Sequence, residues 1–166
     1  RIMTVNGAIR PADLGRSLIH EHVVVDFIGA AKASPERYSS ELAFQTALPH
    51  FQKLRARDVK SLVECTPRYL GRDVVLLQRL SRASGVQIIT NTGWYAAVDH
   101  KFLPPAAQTE SAGQIGARWL HEALGGIDGT GIRPGFLKLG TGNGSLPPVD
   151  AKLVRASGRV HRETGL

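Results

Sequence analysis

Two imidazoles separated by one residue, His20-Glu21-His22, sit in an apolar, β-branched stretch from Ser17 to Asp26. In an extended strand residues i and i+2 point to one face, so both rings would converge on one cation. Neutral imidazole suits Zn²⁺, Co²⁺, Ni²⁺, Mn²⁺ or Fe²⁺. Glu21 would face the other way and is read as structural. The bland alternative is a pair of incidental histidines, one of them hydrogen-bonded in a core. Placement on the first apolar strand of a strand–helix series favours the metal. Lys138, in Phe136-Leu-Lys-Leu139, is the second candidate. A charged, unpaired lysine inside a buried strand is costly, and burial favours the neutral amine. A neutral amine can add CO₂ and become a carbamate, an anionic ligand able to bridge two metals. For the residue taken alone, an ammonium reaching solvent from the strand end is the preferred reading.

The elements that must position these groups follow from the pattern. Residues 1–14 read as two short strands around Asn6-Gly7, a hairpin signal. The His20–His22 strand comes next, bounded by Gly15 and Gly29. Residues 40–57 carry helical apolar spacing, with Pro49 expected to break or kink the helix. Lys60–Thr66 is a short strand stopped by Pro67. Gly71–Ser84 is an amphipathic helix with Gly85 as its stop. Val86–Asn91 is a strand, 111–124 a helix, Pro134–Leu139 a strand and Val149–Glu163 a helix. Strands alternating with helices at this spacing argue for a parallel sheet with right-handed crossovers. The alternation supplies four such units by Leu166, and four units do not close an eight-stranded barrel.

Bulk properties exclude several classes. At 166 residues, 42% hydrophobic and 21% charged, the chain fits one globular domain. No apolar stretch is long enough to span a membrane. The net charge of +7 comes from 21 basic and 14 acidic residues, but the basic ones are scattered and no run of five exists, which argues against nucleic acid. A single cysteine, Cys65, excludes an internal disulfide and fits a cytoplasmic setting, with a removed leader left open because Arg1 is not Met. Gly140-Thr-Gly-Asn-Gly144 lacks the lysine of a phosphate loop and is read as a flexible rim loop. Asp73 is read as a favourable charge at a helix N-terminus. His50, His100, His121 and His161 fall on helices or loops and are read as surface residues.

The segments Thr4-Val-Asn-Gly7, Leu18-Ile-His-Glu-His-Val-Val-Val-Asp26, Gly71-Arg-Asp73, Asn91-Thr-Gly-Trp-Tyr95, Asp128–Lys138 and His161–Gly165 together resemble the phosphotriesterase family of the amidohydrolase superfamily. They run in family order over nearly the whole chain. The resemblance implies an α/β fold of the TIM (β/α)₈ barrel type, with residues 1–166 forming its hairpin and first four units, the N-terminal half of one hydrolase domain. It implies that His20 and His22 bind the more buried of two divalent metals, Zn²⁺ first among the candidates, and that carboxylated Lys138 bridges both. It implies that Tyr95, with Trp94 beside it, lines the substrate pocket. The activity implied is hydrolysis of lactones, carboxylic esters or phosphotriesters by a metal-activated hydroxide. Two histidines and an aspartate that the family takes from later strands are not among these 166 residues. The competing reading is therefore a non-catalytic half-barrel, inactive alone, that dimerises or joins a partner half.

Overall fold

The computed structural model describes residues 1–166. The chain opens with an antiparallel hairpin, β1 (Ile2–Thr4) and β2 (Gly7–Ile9), turning at Gly7 with φ of 108°, a backbone region where glycine avoids Cβ clashes. The hairpin is tied to the rest by Val5, which is buried and donates its N–H to the Ile88 carbonyl at 2.9 Å.

Strand β3 (Arg16–Glu21) pairs in parallel with β4 (Val59–Glu64), and β4 pairs in parallel with β5 (Gln87–Ile89). After Thr90 the same segment resumes as β6 (Asn91–Thr92), which pairs in parallel with β7 (Phe136–Leu137). The four expected strands therefore lie parallel and in chain order. β3 is interrupted: Leu18 faces Leu62 and Glu21 faces Glu64, so three steps on β3 match two on β4. This bulge inserts one residue and re-aims the side chains that follow. Leu18 and Glu21 line the groove beneath the first helix, while His20 and His22 both line the cavity at the strand ends.

Helices α1 (Ser40–Ala56) and α2 (Val74–Ser84) follow β3 and β4. A short α3 (Ala106–Thr109) precedes α4 (Ala112–Gly125), and α5 (Pro148–Thr164) follows β7. Their starts are capped as the side chains dictate: Ser39 accepts from Leu42 N–H, Asp73 from Leu76 N–H, and Ser111 with Gln114 forms a capping box. The α2 start lies three residues later than expected. Gly71 forms a left-handed turn so close to the Val24 carbonyl that a Cβ would lie 2.8 Å from it, and Asp73 is the cap rather than a helical residue. Pro49 neither breaks nor ends α1, which continues to Ala56. Its missing N–H falls on the solvent side, while Phe51, Ala47 and Leu48 on the other side are held in the core.

Two apolar clusters join helices to sheet. Leu62 and Ile88 pack with Leu76, Leu77 and Leu80 of α2 and Phe51 of α1. Leu137 and Leu139 pack with Trp119 of α4 and Leu153 of α5. Full burial of each such side chain contributes about 1.5–3 kcal/mol. The alternation that sends Leu137 and Leu139 to the helices leaves Lys138 on the opposite face. No helix is long and apolar enough to cross a membrane.

Candidate metal centre

His20, His22, Cys65, Tyr95 and Lys138 come together around a cavity of about 440 Å³ at the C-terminal ends of the parallel strands. His20 lies in β3 and His22 one residue past its end. Their ring centroids are 5.4 Å apart, with the planes tilted by 58°. Lys138 follows β7 and extends the ladder, its N–H donating to the Thr92 carbonyl at 2.7 Å. That approach requires Gly93, where a Cβ would lie 2.3 Å from the Lys138 carbonyl oxygen. Phe27, Phe102 and Val98 give the cavity an apolar wall. The Tyr95 ring lies 6.1 Å from that of Phe102.

His22 is anchored on one ring nitrogen only. Its Nδ1 lies 2.9 Å from Thr66 Oγ1, and Nε2 of this cavity-lining residue has no hydrogen-bond partner in the protein. Burial, then the neighbouring His20 and Lys138, hold its pKa below the ordinary histidine value against the opposing pull of Glu21. The imidazole is accordingly neutral near pH 7, the form that binds metal. No three His, Cys, Asp or Glu side chains lie close enough to hold an ion by themselves. Two imidazoles and an amine facing one cavity nevertheless fit part of a two-metal ligand set.

Trp94 requires a correction. It is 5% exposed and packs edge-on to Trp119 with centroids 5.6 Å apart, in the cluster between sheet and helices. Adjacent residues on an extended segment face opposite ways, so Tyr95 lines the cavity and Trp94 does not. His100 also departs from a plain surface role: its Nε2 lies 2.7 Å from Oδ1 of buried Asp150. His50, His121 and His161 are exposed, as expected.

Behind His22 lies a group that pattern reading of the sequence passed over. Glu64 is 1% exposed. Its Oε1 accepts from the Val23 N–H at 3.2 Å and from the Thr66 hydroxyl, and its Oε2 from the Thr66 N–H at 3.1 Å. Burial pushes its pKa up to about 7 despite those hydrogen bonds and the charge of Arg72. The available signal was an acid at i and a threonine at i+2 inside an otherwise apolar strand.

The fold, a parallel strand–helix series with histidines and a lysine at the strand ends, is that of half a TIM (β/α)₈ barrel. The sequence profile of the phosphotriesterase family matches residues 1–166, and the chain belongs to that family. It is 32% identical over 167 residues to a phosphotriesterase homology protein of Mycobacterium tuberculosis, covering 98% of this chain and 51% of that protein. It is 28% identical to an aryldialkylphosphatase of Saccharolobus solfataricus, covering 95% and 49% respectively. A variant of a phosphotriesterase-like lactonase from Deinococcus radiodurans superposes with a TM-score of 0.89 at 31% identity, over 100% of this chain and 53% of that one. The chain thus spans about half the length of these relatives.

Proposed function

We propose that residues 1–166 form the N-terminal half of a single barrel domain, and that the complete barrel is a metal-dependent hydrolase of lactones, carboxylic esters or phosphotriesters. The observation that carries this reading is the convergence of His20, His22 and Lys138 on one cavity at the C-terminal strand ends, where barrel enzymes place their chemistry. In this reading His22 offers Nε2 to a divalent ion and His20 offers a second nitrogen. The Lys138 amine, on adding CO₂ and losing a proton to solvent, would become a carbamate whose oxygens could help hold the metal, with Zn²⁺ the first candidate. Bound metal would supply a nucleophilic water near neutral pH and polarise the carbonyl or phosphoryl oxygen of the substrate. Tyr95 and the Phe27–Phe102 wall would hold the apolar part of that substrate and keep bulk water away. The lactonase and aryldialkylphosphatase relatives support this range of substrates, with lactones and esters preferred.

The partial ligand set favours a further point. Three residues fill only part of two coordination shells, so these 166 residues alone would bind metal weakly and turn over no substrate. Ile19 at 78% exposed and the apolar groove beneath α1, about 740 Å³, would be covered by a second copy or by the remaining barrel strands. The test is hydrolysis of a lactone, an aryl ester and a phosphotriester by protein expressed from its complete reading frame, metal-loaded and chelated, with His22→Ala as control. Metal-dependent turnover abolished by His22→Ala supports the reading. Undiminished turnover in the variant, or full turnover by the 166 residues alone, contradicts it.

A further inference from the structure

The geometry points to Glu64 and Thr66 as positioning residues that select the tautomer of His22 and so present Nε2 to metal. This rests on the reading of His22 as a ligand. The Thr66 hydroxyl has one proton, and of its two neighbours, Glu64 Oε1 and His22 Nδ1, the ionised carboxylate is the stronger acceptor for it. Its oxygen can then only accept from His22, whose Nδ1 lies 2.9 Å away. His22 must therefore carry its proton on Nδ1, and the lone pair falls on Nε2. Were the Thr66 proton turned toward His22, the ring proton would move to Nε2 and block ligation.

The polarity of this relay is set by what surrounds Glu64. Its two oxygens meet the Thr66 N–H, the Val23 N–H and the Thr66 hydroxyl, so with Glu64 ionised, above its pKa of about 7, both oxygens accept and the relay runs in this direction. The Val23 contact adds a second hold, because Val23 directly follows His22 and its N–H fixes the backbone beside the ligand. The frame is itself rigid. Asn91 Nδ2 donates to the carbonyls of both Glu64 and Thr66 at 3.0 Å. One buried carboxylate thus fixes the ring of His22 through Thr66 and its main chain through Val23. Outer partners of this kind orient ligating histidines, and their loss costs about 10–100-fold in metal affinity.

The experiment uses protein from the complete reading frame at pH 8, where Glu64 is ionised, with Co²⁺ as probe, and compares Thr66→Val, Thr66→Ser, Glu64→Gln and His22→Ala. ¹⁵N NMR of the metal-free protein reads the His22 tautomer, and chelator competition reads Co²⁺ affinity. The expected result is an Nδ1–H tautomer in the wild type, kept in Thr66→Ser with near wild-type affinity. Thr66→Val and Glu64→Gln should show mixed tautomers and about 10–100-fold weaker Co²⁺ binding. A wild-type Nε2–H tautomer overturns the inference without reference to any variant's folding. Unchanged affinity in folded Thr66→Val, with binding lost in His22→Ala, overturns it while leaving the metal site standing. Unchanged affinity in His22→Ala removes both.

Discussion

Two carboxylates shielded from solvent, Glu64 at the end of β4 and Glu122 on α4, have opposite fates. Glu122, on α4, is in the helix layer and receives Arg72 through two hydrogen bonds of 3.0 and 3.1 Å and the Thr92 hydroxyl at 2.7 Å. Burial alone would raise its pKa, but the Arg72 charge, the Arg72 and Thr92 hydrogen bonds and the Arg68 charge hold it below the usual glutamate value. Glu64, behind the cavity, has hydrogen-bond donors that are all neutral, and burial carries it to about 7. A similar difference separates two basic side chains, the buried guanidinium of Arg72 and the part-buried Lys138. The Arg72 side chain is 1% exposed and also donates to the Asn91 carbonyl at 2.8 Å, whereas Lys138 takes part in no ion pair. The helix side pairs Arg72 with Glu122 and Asp128, leaving only the Arg72 Nε without a partner on that guanidinium. The cavity side presents exposed His20 and His22 and part-buried Lys138, of which only His22 has a side-chain hydrogen bond, to Thr66.

The largest effects should come from breaking the self-satisfied side. Arg72→Ala would leave Glu122 with only the more distant Arg68, at 3.7 Å, as its cation, at a cost of about 3–5 kcal/mol, read as a fall in urea midpoint. Trp94→Ala should cost a similar ~3–5 kcal/mol by opening a cavity against Trp119, with substrate KM little changed in whatever fraction folds. A large KM change with little loss of stability would return Trp94 to the substrate pocket.

Next in size is the pH dependence of Glu64. Its folded pKa is raised, so the folded state holds the proton to higher pH than the unfolded chain does. Stability should therefore be greatest below the unfolded value near 4.5 and fall between there and about 7. The span corresponds to roughly 3 kcal/mol. Urea titrations at several pH values should show this decline, and Glu64→Gln should flatten it. Glu122 has the opposite sign: its contribution is present above its unfolded pKa and is lost as pH falls through the lowered folded value. A stability that rises from pH 5 to 7 would reverse the assignment of the two carboxylates. The smallest change is Tyr95→Phe, which should leave stability within about 1 kcal/mol and alter KM for substrates whose polar group reaches the hydroxyl.

Much of this division is legible in the sequence. The order of strands and helices follows from apolar periodicity with glycine stops at Gly85 and Gly165, both left-handed caps in the structure. The convergence of His20, His22 and Lys138 follows from strand parity. What the sequence hides is where parity slips. The bulge between Leu18 and Glu21 is invisible in composition, yet it determines which residues of β3 face the cavity. Trp94 and Tyr95 are adjacent aromatics, and only the frame of β6 assigns one to the core and the other to the cavity. Glu64 looks like an ordinary polar interruption of a strand until the turn at Thr66 brings it behind His22. Pro49 is tolerated because one lost hydrogen bond on a solvated face is outweighed by the packing of Phe51 and its neighbours.

The central claim is that the cavity face, and not the helix face, is built to hold a divalent cation. The most direct test is a crystal structure of the protein from its complete reading frame, loaded with Zn²⁺ and measured at the zinc absorption edge. The expected result is an anomalous peak in the His20–His22–Lys138 cavity, about 2.0–2.1 Å from a histidine nitrogen, with His22 bound through Nε2 and Nδ1 still on Thr66. An anomalous peak elsewhere, or imidazoles turned away from an empty cavity at saturating Zn²⁺, would contradict it.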